Sequence, residues 1–356
     1  MNKDSITGKM LRLLPPEMAH GLAINALKFG FVPDARKIDN PILATNLFGL
    51  DFPNPVGLAA GFDKNAESVN GLLKQGFGFI ELGTVTPLQQ SGNPTPRVFR
   101  LKEDEAVINR YGFNSLGIHK FAENLKKRKL GGIVGANIGK NKDSLDALHD
   151  YSNALAAVYD LVDYITVNIS SPNTVGLRDL QQKNALSGLV SGIEKKRIEL
   201  TLEYGKRKPI LYKIAPDISE KDKNDIVQVA FDYKIDGLIL TNTTISRPEN
   251  LNNRYKNEKG GLSGRPLFDL STNCLRDIYR ISNGKIPLIG VGGISSAEDA
   301  YTKIKAGASL IQLYTALIYN GMKIVNDINE GLIKLLERDG FSHHQIQQAV
   351  GSDQSC

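Results

Sequence analysis

Cysteine is scarce in this sequence, with only Cys274 and Cys356 among 356 residues. Two isolated thiols without metal-ligand spacing exclude a disulfide scaffold and indicate a reducing compartment. A chain of this length can bury a large core without covalent cross-links. Long apolar runs are also missing, so we expect neither a signal peptide nor a transmembrane helix.

Metal-binding and nucleic-acid-binding patterns are missing as well. The histidines fall in predicted helices or in the C-terminal tail, away from the predicted strand ends, so no metal site is expected: His20, His119, His149, His343 and His344. The net charge is +6, with basic clusters at 126–129, 195–197 and 206–208. These clusters are scattered and contain no aromatic residues, which favours solvated helix faces over a nucleic-acid surface. A mild basic excess also suits an anionic membrane surface.

Residues 5–33 are predicted to form two short amphipathic helices separated at Pro15-Pro16. Apolar residues recur at helical spacing in both segments. They are Ile6, Met10, Leu11, Leu13 and Leu14, then Met18, Leu22, Ala23, Ala26, Leu27, Phe29 and Phe31. Two interpretations stay open: the helices cap the main domain, or they form an apolar platform for lipid or a lipid-soluble ligand.

Eight short apolar runs indicate strands in the remainder of the chain, and helical patterns separate most of them. The strands are predicted at 55–60, 79–82, 133–138, 164–169, 210–214, 237–240, 287–290 and 310–314, and helices for example at 116–130, 144–162, 219–232, 296–306 and 321–337. Eight alternations predict an α/β fold, a closed (β/α)8 TIM barrel, with an open doubly wound sheet as the alternative.

The predicted organisation has three parts. A helical extension covers residues 1–40, the barrel covers 41–340, and a polar C-terminal tail covers 341–356. Residues 97–110 do not fit the alternation and are predicted to form a β-hairpin inserted after the second strand. We expect the polar tail after Asp339 to fray.

Polar residues and glycines follow every predicted strand, at the end of the barrel where active sites lie. Asparagines recur there at Asn137, Asn168 and Asn242, and a neutral amide can recognise the edge of a planar heterocycle. Lys64 and Lys213 add positive charge. Lys213 lies within an apolar strand, where an ammonium group can stabilise a reduced flavin; Schiff-base chemistry is the alternative role.

Two segments at the same end suit a phosphate group. Residues 291–294 (VGGI) lead into a predicted helix, and Tyr314-Thr315 follow the eighth strand. The N-terminus of a helix offers free N–H groups to anions, and barrels often bind phosphate between the loops after strands seven and eight. A phosphorylated cofactor or substrate is therefore expected.

Four segments resemble the dihydroorotate dehydrogenase family. They are residues 54–64 (NPVGLAAGFDK), 81–87 (ELGTVTP), 109–114 (NRYGFN) and 260–267 (GGLSGRPL). The resemblance runs from about residue 8 to 337. Two features are similar to the quinone-reducing class 2: the N-terminal helices, and Ser171 in the segment 168–173 (NISSPN), where class 1 enzymes carry a cysteine.

The resemblance implies a role for each matching residue. Ser171 would be the catalytic base. FMN would be bound by Ala60, Gly61, Lys64, Thr84, Asn137, Asn168, Lys213, Thr241, Gly264, Gly293, Tyr314 and Thr315. Dihydroorotate would be bound by Lys64, Asn109, Arg110, Tyr111, Gly112, Phe113, Asn168, Asn173, Asn242 and Thr243.

The implied reaction is oxidation of (S)-dihydroorotate to orotate in de novo pyrimidine biosynthesis, with electrons passed to a membrane quinone. Ser171 would take a proton from one ring carbon while the flavin takes a hydride from its neighbour. A serine hydroxyl is a weak base, so Thr174 or a water molecule would carry the proton away. The protein would then lie peripherally on the cytoplasmic side of the cell membrane.

Two alternatives remain at this point. One is a class 1-type enzyme, or a related flavin barrel, that uses a soluble electron acceptor. The other is an inactive barrel that serves as a binding scaffold, although the polar strand ends argue against it.

Overall fold

The computed structural model of the protein describes residues 11–342 and 346–354. The predictions made for Ile6, Met10, His343, His344 and Cys356 lie outside these residues. The first predicted helix is therefore described only at 11–13, which are helical. The second predicted helix is α1 (Pro16–Lys28), and Pro16 occupies its first turn, where a missing N–H costs no helical hydrogen bond.

The strands are numbered along the chain. They are β1 (Thr45–Leu47), β2 (Leu50–Phe52), β3 (Val56–Leu58), β4 (Phe79–Val85), β5 (Val98–Leu101), β6 (Ala106–Asn109), β7 (Ile133–Ile138), β8 (Tyr164–Asn168), β9 (Ile210–Ile214), β10 (Gly237–Leu240), β11 (Gly261–Gly264), β12 (Leu288–Val291) and β13 (Leu310–Leu313).

A closed barrel is formed by β3, β4, β7, β8, β9, β10, β12 and β13 in that order. Neighbouring strands are parallel, as between β8 and β9, where Asn168 pairs with Lys213. Each barrel strand overlaps one of the eight predicted runs, so the predicted TIM barrel is confirmed and the open sheet is excluded. Because the strands are parallel, their C-terminal ends and the loops that follow form one rim.

The remaining helices are α2 (Val69–Leu73), α3 (Ile118–Leu125), α4 (Ala147–Val158), α5 (Lys183–Tyr204), α6 (Glu220–Asp232), α7 (Phe268–Ile281), α8 (Ala297–Lys305), α9 (Thr315–Asn320) and α10 (Ile324–Arg338). Side-chain caps begin several of them: Asp146 caps α4, Ser219 forms a capping box with Asp222 on α6, and Ser296 caps α8. Such caps satisfy the free N–H groups of the first turn. The five helices predicted as examples are confirmed.

The end of the barrel opposite the rim is closed by apolar side chains. The antiparallel hairpin β1–β2 places Phe52 against Phe79, with 5.3 Å between ring centroids, and Phe79 in turn contacts Tyr164. Phe48 and Leu50 pack against the same cluster. The barrel interior is therefore filled at this end, which leaves its polar groups at the rim.

The predicted inserted hairpin is confirmed as β5–β6, and β11 extends it to a three-stranded antiparallel sheet. Tyr319 fastens this sheet to the barrel because its hydroxyl donates to the carbonyls of Leu101, at 3.2 Å, and Ala106, at 2.7 Å. The sheet lies beside the rim as a result.

The described part of the C-terminal tail differs from the expected frayed segment. Ile346 and Ala349 are fully buried in the main core. Gln347 Nε2 donates to Thr45 Oγ1 at 2.6 Å, and the Gly351 N–H donates to the Ile304 carbonyl. Two apolar residues in a mostly polar sequence were enough to dock it. No helix among the described residues has the length and hydropathy needed to cross a lipid bilayer.

Candidate active site

A cavity of about 790 Å³ runs from the rim to the N-terminal helices. This volume lies within the range of small-molecule and cofactor sites, about 300–1,000 Å³. It brings Ser171 together with every predicted cofactor residue except Asn137 and every predicted substrate residue except Arg110. These residues converge because most of them lie at the ends of barrel strands, and the others lie on or after β6 and β11 of the neighbouring sheet.

Three side chains at the ends of β4, β7 and β8 form a buried polar cluster. Asn168 Nδ2 donates to Thr84 Oγ1 at 3.0 Å and to Asn137 Oδ1 at 3.1 Å. Thr84 Oγ1 donates to the same Asn137 oxygen at 2.6 Å. Asn137 lies behind the cavity wall and fixes the two residues that line it. The predicted role of Asn137 as a direct ligand stays a prediction.

Glu81 lies below this cluster, fully buried inside the barrel. Its carboxylate accepts hydrogen bonds from Asn137 Nδ2 (2.8 Å), Tyr164 OH (3.1 Å), Thr166 Oγ1 (3.1 Å) and Gln312 Nε2 (2.9 Å). A buried carboxylate needs such partners, because it has lost its hydration. The four bonds hold the polar floor of the cavity in one arrangement.

Lys213 projects from β9 into this polar floor. Burial lowers the pKa of its ammonium group, while the charge of Glu81 opposes the change. Among the described residues, Lys213 Nζ has no hydrogen-bond or ion-pair partner. Gln312 Oε1 is also buried and unpartnered in the described part of the chain. A cation and an acceptor left unpaired on a cavity wall suit a ligand with negative charge and a polar edge.

The loop after β8 carries Ser171 into the cavity. Ser171 Oγ accepts the N–H of Asn173 at 3.3 Å, and Asn173 Nδ2 donates to the Asn109 carbonyl at 3.2 Å. Asn242 Nδ2 donates to Ser170 Oγ at 3.0 Å. Thr174 Oγ1 is buried and has no hydrogen-bond partner among the described residues. The loops after β8 and β10 therefore present a hydroxyl and two amides to the cavity, with a second hydroxyl nearby in sequence.

Arg178 holds this loop against two neighbouring loops, a role that its place in the sequence does not predict. Its guanidinium donates to the Ser170 carbonyl at 3.0 Å and to the Thr243 carbonyl at 2.9 Å, and it forms an ion pair with Asp217 at 2.9 Å. Burial acts to raise the pKa of Asp217, but hydrogen bonds from Thr244 and Ile245 and the ion pair with Arg178 together lower it. Arg178 thus fixes the loops after β8, β9 and β10 to one another.

Lys64 is the second cation on the wall. Its ammonium lies 4.0 Å from the centroid of the Tyr111 ring. Burial lowers the pKa of Lys64 to about 8, and Arg97 adds to the effect while Glu17 opposes it. A lysine near this value remains largely protonated at neutral pH and binds carboxylates well in a poorly hydrated site.

The loop after β12 approaches α7 very closely. Gly292 and Gly293 have φ values of +117° and +77°, which side-chain-bearing residues rarely adopt. A Cβ on Gly293 would lie 2.5 Å from Phe268 Cα. Among the described residues, the N–H groups of Gly292 and Gly293 have no acceptor. This combination of free N–H groups beside helix α8 suits an anion.

The wall formed by α1 is apolar. Ala19, Ala23 and Leu27 line it, together with His20. The His20 ring contacts the Phe62 ring edge-on, at 5.4 Å between centroids, and burial beside Lys64 lowers its pKa to about 3. The prediction that all histidines lie away from the rim was therefore wrong for His20, because helix packing rather than sequence position brings it there.

The comparison with known protein families decides the family. A sequence profile described as dihydroorotate dehydrogenase matches residues 42–336. The chain belongs to the dihydroorotate dehydrogenase family. The resemblance identified from the four sequence segments is confirmed.

Relatives of the quinone type match this family member over nearly its full length. The dihydroorotate dehydrogenase (quinone) of Azorhizobium caulinodans is 51% identical over 96% of this chain and 97% of its own. The mitochondrial dihydroorotate dehydrogenase (quinone) of Mus musculus is 50% identical over 96% of this chain and 88% of its own. The structure of the Eimeria tenella enzyme in complex with ferulenol superposes with a TM-score of 0.92, at 41% identity and 96% coverage of both chains.

Arg110 belongs to a motif of the dihydroorotate dehydrogenase family, but its side chain is engaged outside the cavity. Its guanidinium forms an ion pair with Glu258 at 2.8 Å, donates to the Pro96 carbonyl at 2.8 Å and stacks over Phe99 at 4.7 Å. These contacts fix β6 beside β5. The predicted contact of Arg110 with substrate stays a prediction.

Among the described residues, this site contains neither a cysteine that could act as a base nor a cluster of side chains that could bind a metal ion. Cys274 lies buried in α7, and burial raises the pKa of its thiol to about 12, which makes it a poor nucleophile. The described residues contain no cluster of histidine, cysteine or acidic side chains suited to a metal ion. The predicted role of Ser171 as the base stays a prediction.

Proposed function

We propose that the protein oxidises dihydroorotate to orotate with bound FMN and passes the electrons to a membrane quinone, in pyrimidine biosynthesis. One observation carries the proposal: a single cavity joins the polar rim around Ser171 to the apolar wall of α1. A polar dihydropyrimidine and an apolar quinone require surfaces of these two kinds. The names of the similar enzymes support the same assignment.

The residues present fit FMN. Lys213 and Gln312 offer an unpaired cation and acceptor at the polar floor, and Asn168 and Thr84 offer further polar atoms. Gly264, Gly293 and Thr315 would hold the phosphate end beside the free N–H groups of the loop after β12. When bound, FMN accepts a hydride and later releases electrons to a second substrate.

Dihydroorotate would lie between the loop after β8 and the end of β6. Lys64 would bind its carboxylate, and Asn109, Asn173 and Asn242 would bind the ring amides through their own amide groups. Tyr111 and Phe113 would cover the site. Asn173 is held to the Asn109 carbonyl and Asn242 to Ser170 by hydrogen bonds, so this part of the site would be formed before the substrate binds.

Ser171 would remove the proton from the substrate carbon. Its Oγ already accepts the Asn173 N–H, which orients the hydroxyl and favours its deprotonated form. A serine still needs a group to receive its proton. The buried hydroxyl of Thr174 lies in the same loop but has no hydrogen-bond partner in the described part of the chain, so a water molecule would link it to Ser171 and carry the proton away.

The quinone would enter between the N-terminal helices, which would also contact the membrane. Large apolar side chains are exposed on this segment: Leu13, Met18, Leu22, Phe29 and Phe31. Such a cluster of exposed apolar residues favours a membrane-facing platform over a simple cap. The protein would be a peripheral protein of the inner, cytoplasmic side of the cell membrane.

The acceptor assay tests this function directly. Purified protein is given dihydroorotate with fumarate, NAD or a short-chain quinone in separate reactions. We expect orotate formation with the quinone only. Activity with fumarate alone would instead assign a class 1-type reaction, and colourless protein that takes up no FMN would indicate an inactive scaffold.

A further inference from the structure

We infer that Lys303 is a positioning residue for the phosphate end of the cofactor, although it never reaches the cavity. It lies in the last turn of α8 and is fully buried. The inference rests on the proposed binding of FMN, since it concerns the loop after β12 that would hold the phosphate.

The ammonium of Lys303 is linked to that loop through one serine. Lys303 Nζ donates to Ser271 Oγ at 2.5 Å, and the Ser271 hydroxyl is shared between the Phe268 carbonyl at 3.0 Å and the Gly292 carbonyl at 3.1 Å. A Cβ on Gly290 would lie 3.5 Å from Lys303 Cδ. The methylene groups of Lys303 therefore pack along β12, and its ammonium lies on the side of the loop after β12 that faces away from the cavity.

The charge of Lys303 has no carboxylate partner in the described part of the chain. Its polar contacts there are Ser271 and, at 3.5 Å, the Phe268 carbonyl, and its ammonium lies 5.1 Å from the Phe268 ring. Burial accordingly lowers the pKa of Lys303 to about 7. An uncompensated buried cation is costly, because it has lost its hydration without gaining an ion pair.

A phosphate in front of the loop would compensate this cost. The Gly292 and Gly293 N–H groups would contact the phosphate oxygens directly, while Lys303 contributes charge from behind through Ser271. The attraction between the ammonium and the phosphate weakens only slowly with distance in a protein interior of low polarity, so it can act across Ser271. A lysine that merely filled space would be replaceable by methionine, which has a similar length and no charge.

The test compares two flavins that differ only in the phosphate. Full-length protein is stripped of flavin, and the binding of FMN and of riboflavin is measured by flavin fluorescence. For Lys303→Met we expect FMN to bind about tenfold more weakly, while riboflavin affinity changes less than about twofold. The matched control is Lys305→Met, which removes the same charge from the same helix and should leave the FMN-to-riboflavin ratio unchanged.

Equal weakening of both flavins, or no change in either, would overturn the inference, since a packing role does not distinguish them. If Lys303→Met does not fold, as judged by its thermal unfolding, Ser271→Ala decides instead. That variant keeps the charge and removes its link to Gly292, so we expect FMN affinity alone to fall about threefold. An unchanged ratio there also overturns the inference. Failure of the unmodified protein to bind FMN would contradict the proposed function itself.

Discussion

The rim wall and the α1 wall of the cavity are built in different ways. At the rim, Asn168, Thr84 and Asn137 are joined by hydrogen bonds, and Glu81 fixes them from below. Along α1, Ala19 and Ala23 offer small apolar surfaces, and an ion pair between Glu17 and Arg97 at 3.0 Å anchors the helix. The rim can thus select a ligand by polar geometry, whereas the α1 wall selects by shape and apolarity.

If the proposed function is correct, the two walls serve separate half-reactions and can be disabled separately. The largest expected effect is at the rim. Ser171→Ala should slow flavin reduction by dihydroorotate by a factor on the order of 10²–10⁴, the usual contribution of a positioned base. Stopped-flow absorbance measures this step without any quinone. FMN content and orotate affinity serve as controls and should remain near normal, and an unchanged reduction rate would place the base elsewhere.

A second substitution targets the α1 wall. Ala19→Trp adds a large ring to the apolar part of the cavity, where overpacking is poorly tolerated. We expect quinone turnover to fall about tenfold, while reduction of the flavin by dihydroorotate changes less than about twofold. Leu22→Trp, on an exposed face of the same helix, is the matched control. Parallel loss of both half-reactions in Ala19→Trp would show that the two walls are not independent.

A pH titration tests the role of Lys64 at the rim. The protonated ammonium binds the carboxylate, and its pKa is about 8. Orotate affinity should therefore be constant well below pH 8 and fall about tenfold for each unit well above it. The absorbance change of the bound flavin reports the dissociation constant. Lys64→Arg keeps its charge throughout this range and should flatten the profile; a flat profile in the unmodified protein would remove Lys64 as the carboxylate partner.

The smallest expected effect concerns the exposed platform outside the α1 wall. Replacing Met18 and Phe29 with serine should weaken binding to anionic phospholipid vesicles about fivefold, since less apolar surface can enter the bilayer interface. Vesicle co-sedimentation measures this change. The control replaces Ile198 and Leu202, two exposed apolar residues of α5, with serine. Equal losses in both variants would mean that the N-terminal surface has no special affinity for lipid.

The barrel was predictable because each strand is a short apolar run followed by polar residues. Where this pattern is absent, tertiary contacts decide: β11 has the sequence GLSG and forms a strand through its pairing with β6. Strand propensity is weak compared with such pairing. The hairpin β1–β2 was not predicted for a similar reason, since each of its strands has three residues.

The site was predictable to the extent that position after a strand determines location at the rim. Asn168 and Ser171 were found in this way, whereas Lys213 was found because a charged residue inside an apolar strand is unusual. Gln312 and Arg178 were not, because a glutamine within a strand and an arginine in a short helical turn have no distinctive sequence signal. Their roles depend on hydrogen bonds to residues far away in the chain, such as that from Gln312 to Glu81, which sequence spacing cannot reveal.

Glu81 places a constraint on how this barrel can change over evolutionary time. Its four donors come from three other strands, and all of them are buried. A single replacement of Glu81 by an apolar residue would leave several buried groups without an acceptor at once, each with its own cost. No single compensating substitution restores them. The interior of the barrel can therefore drift only through coordinated changes on several strands, whereas the exposed residues of α1 can change one at a time.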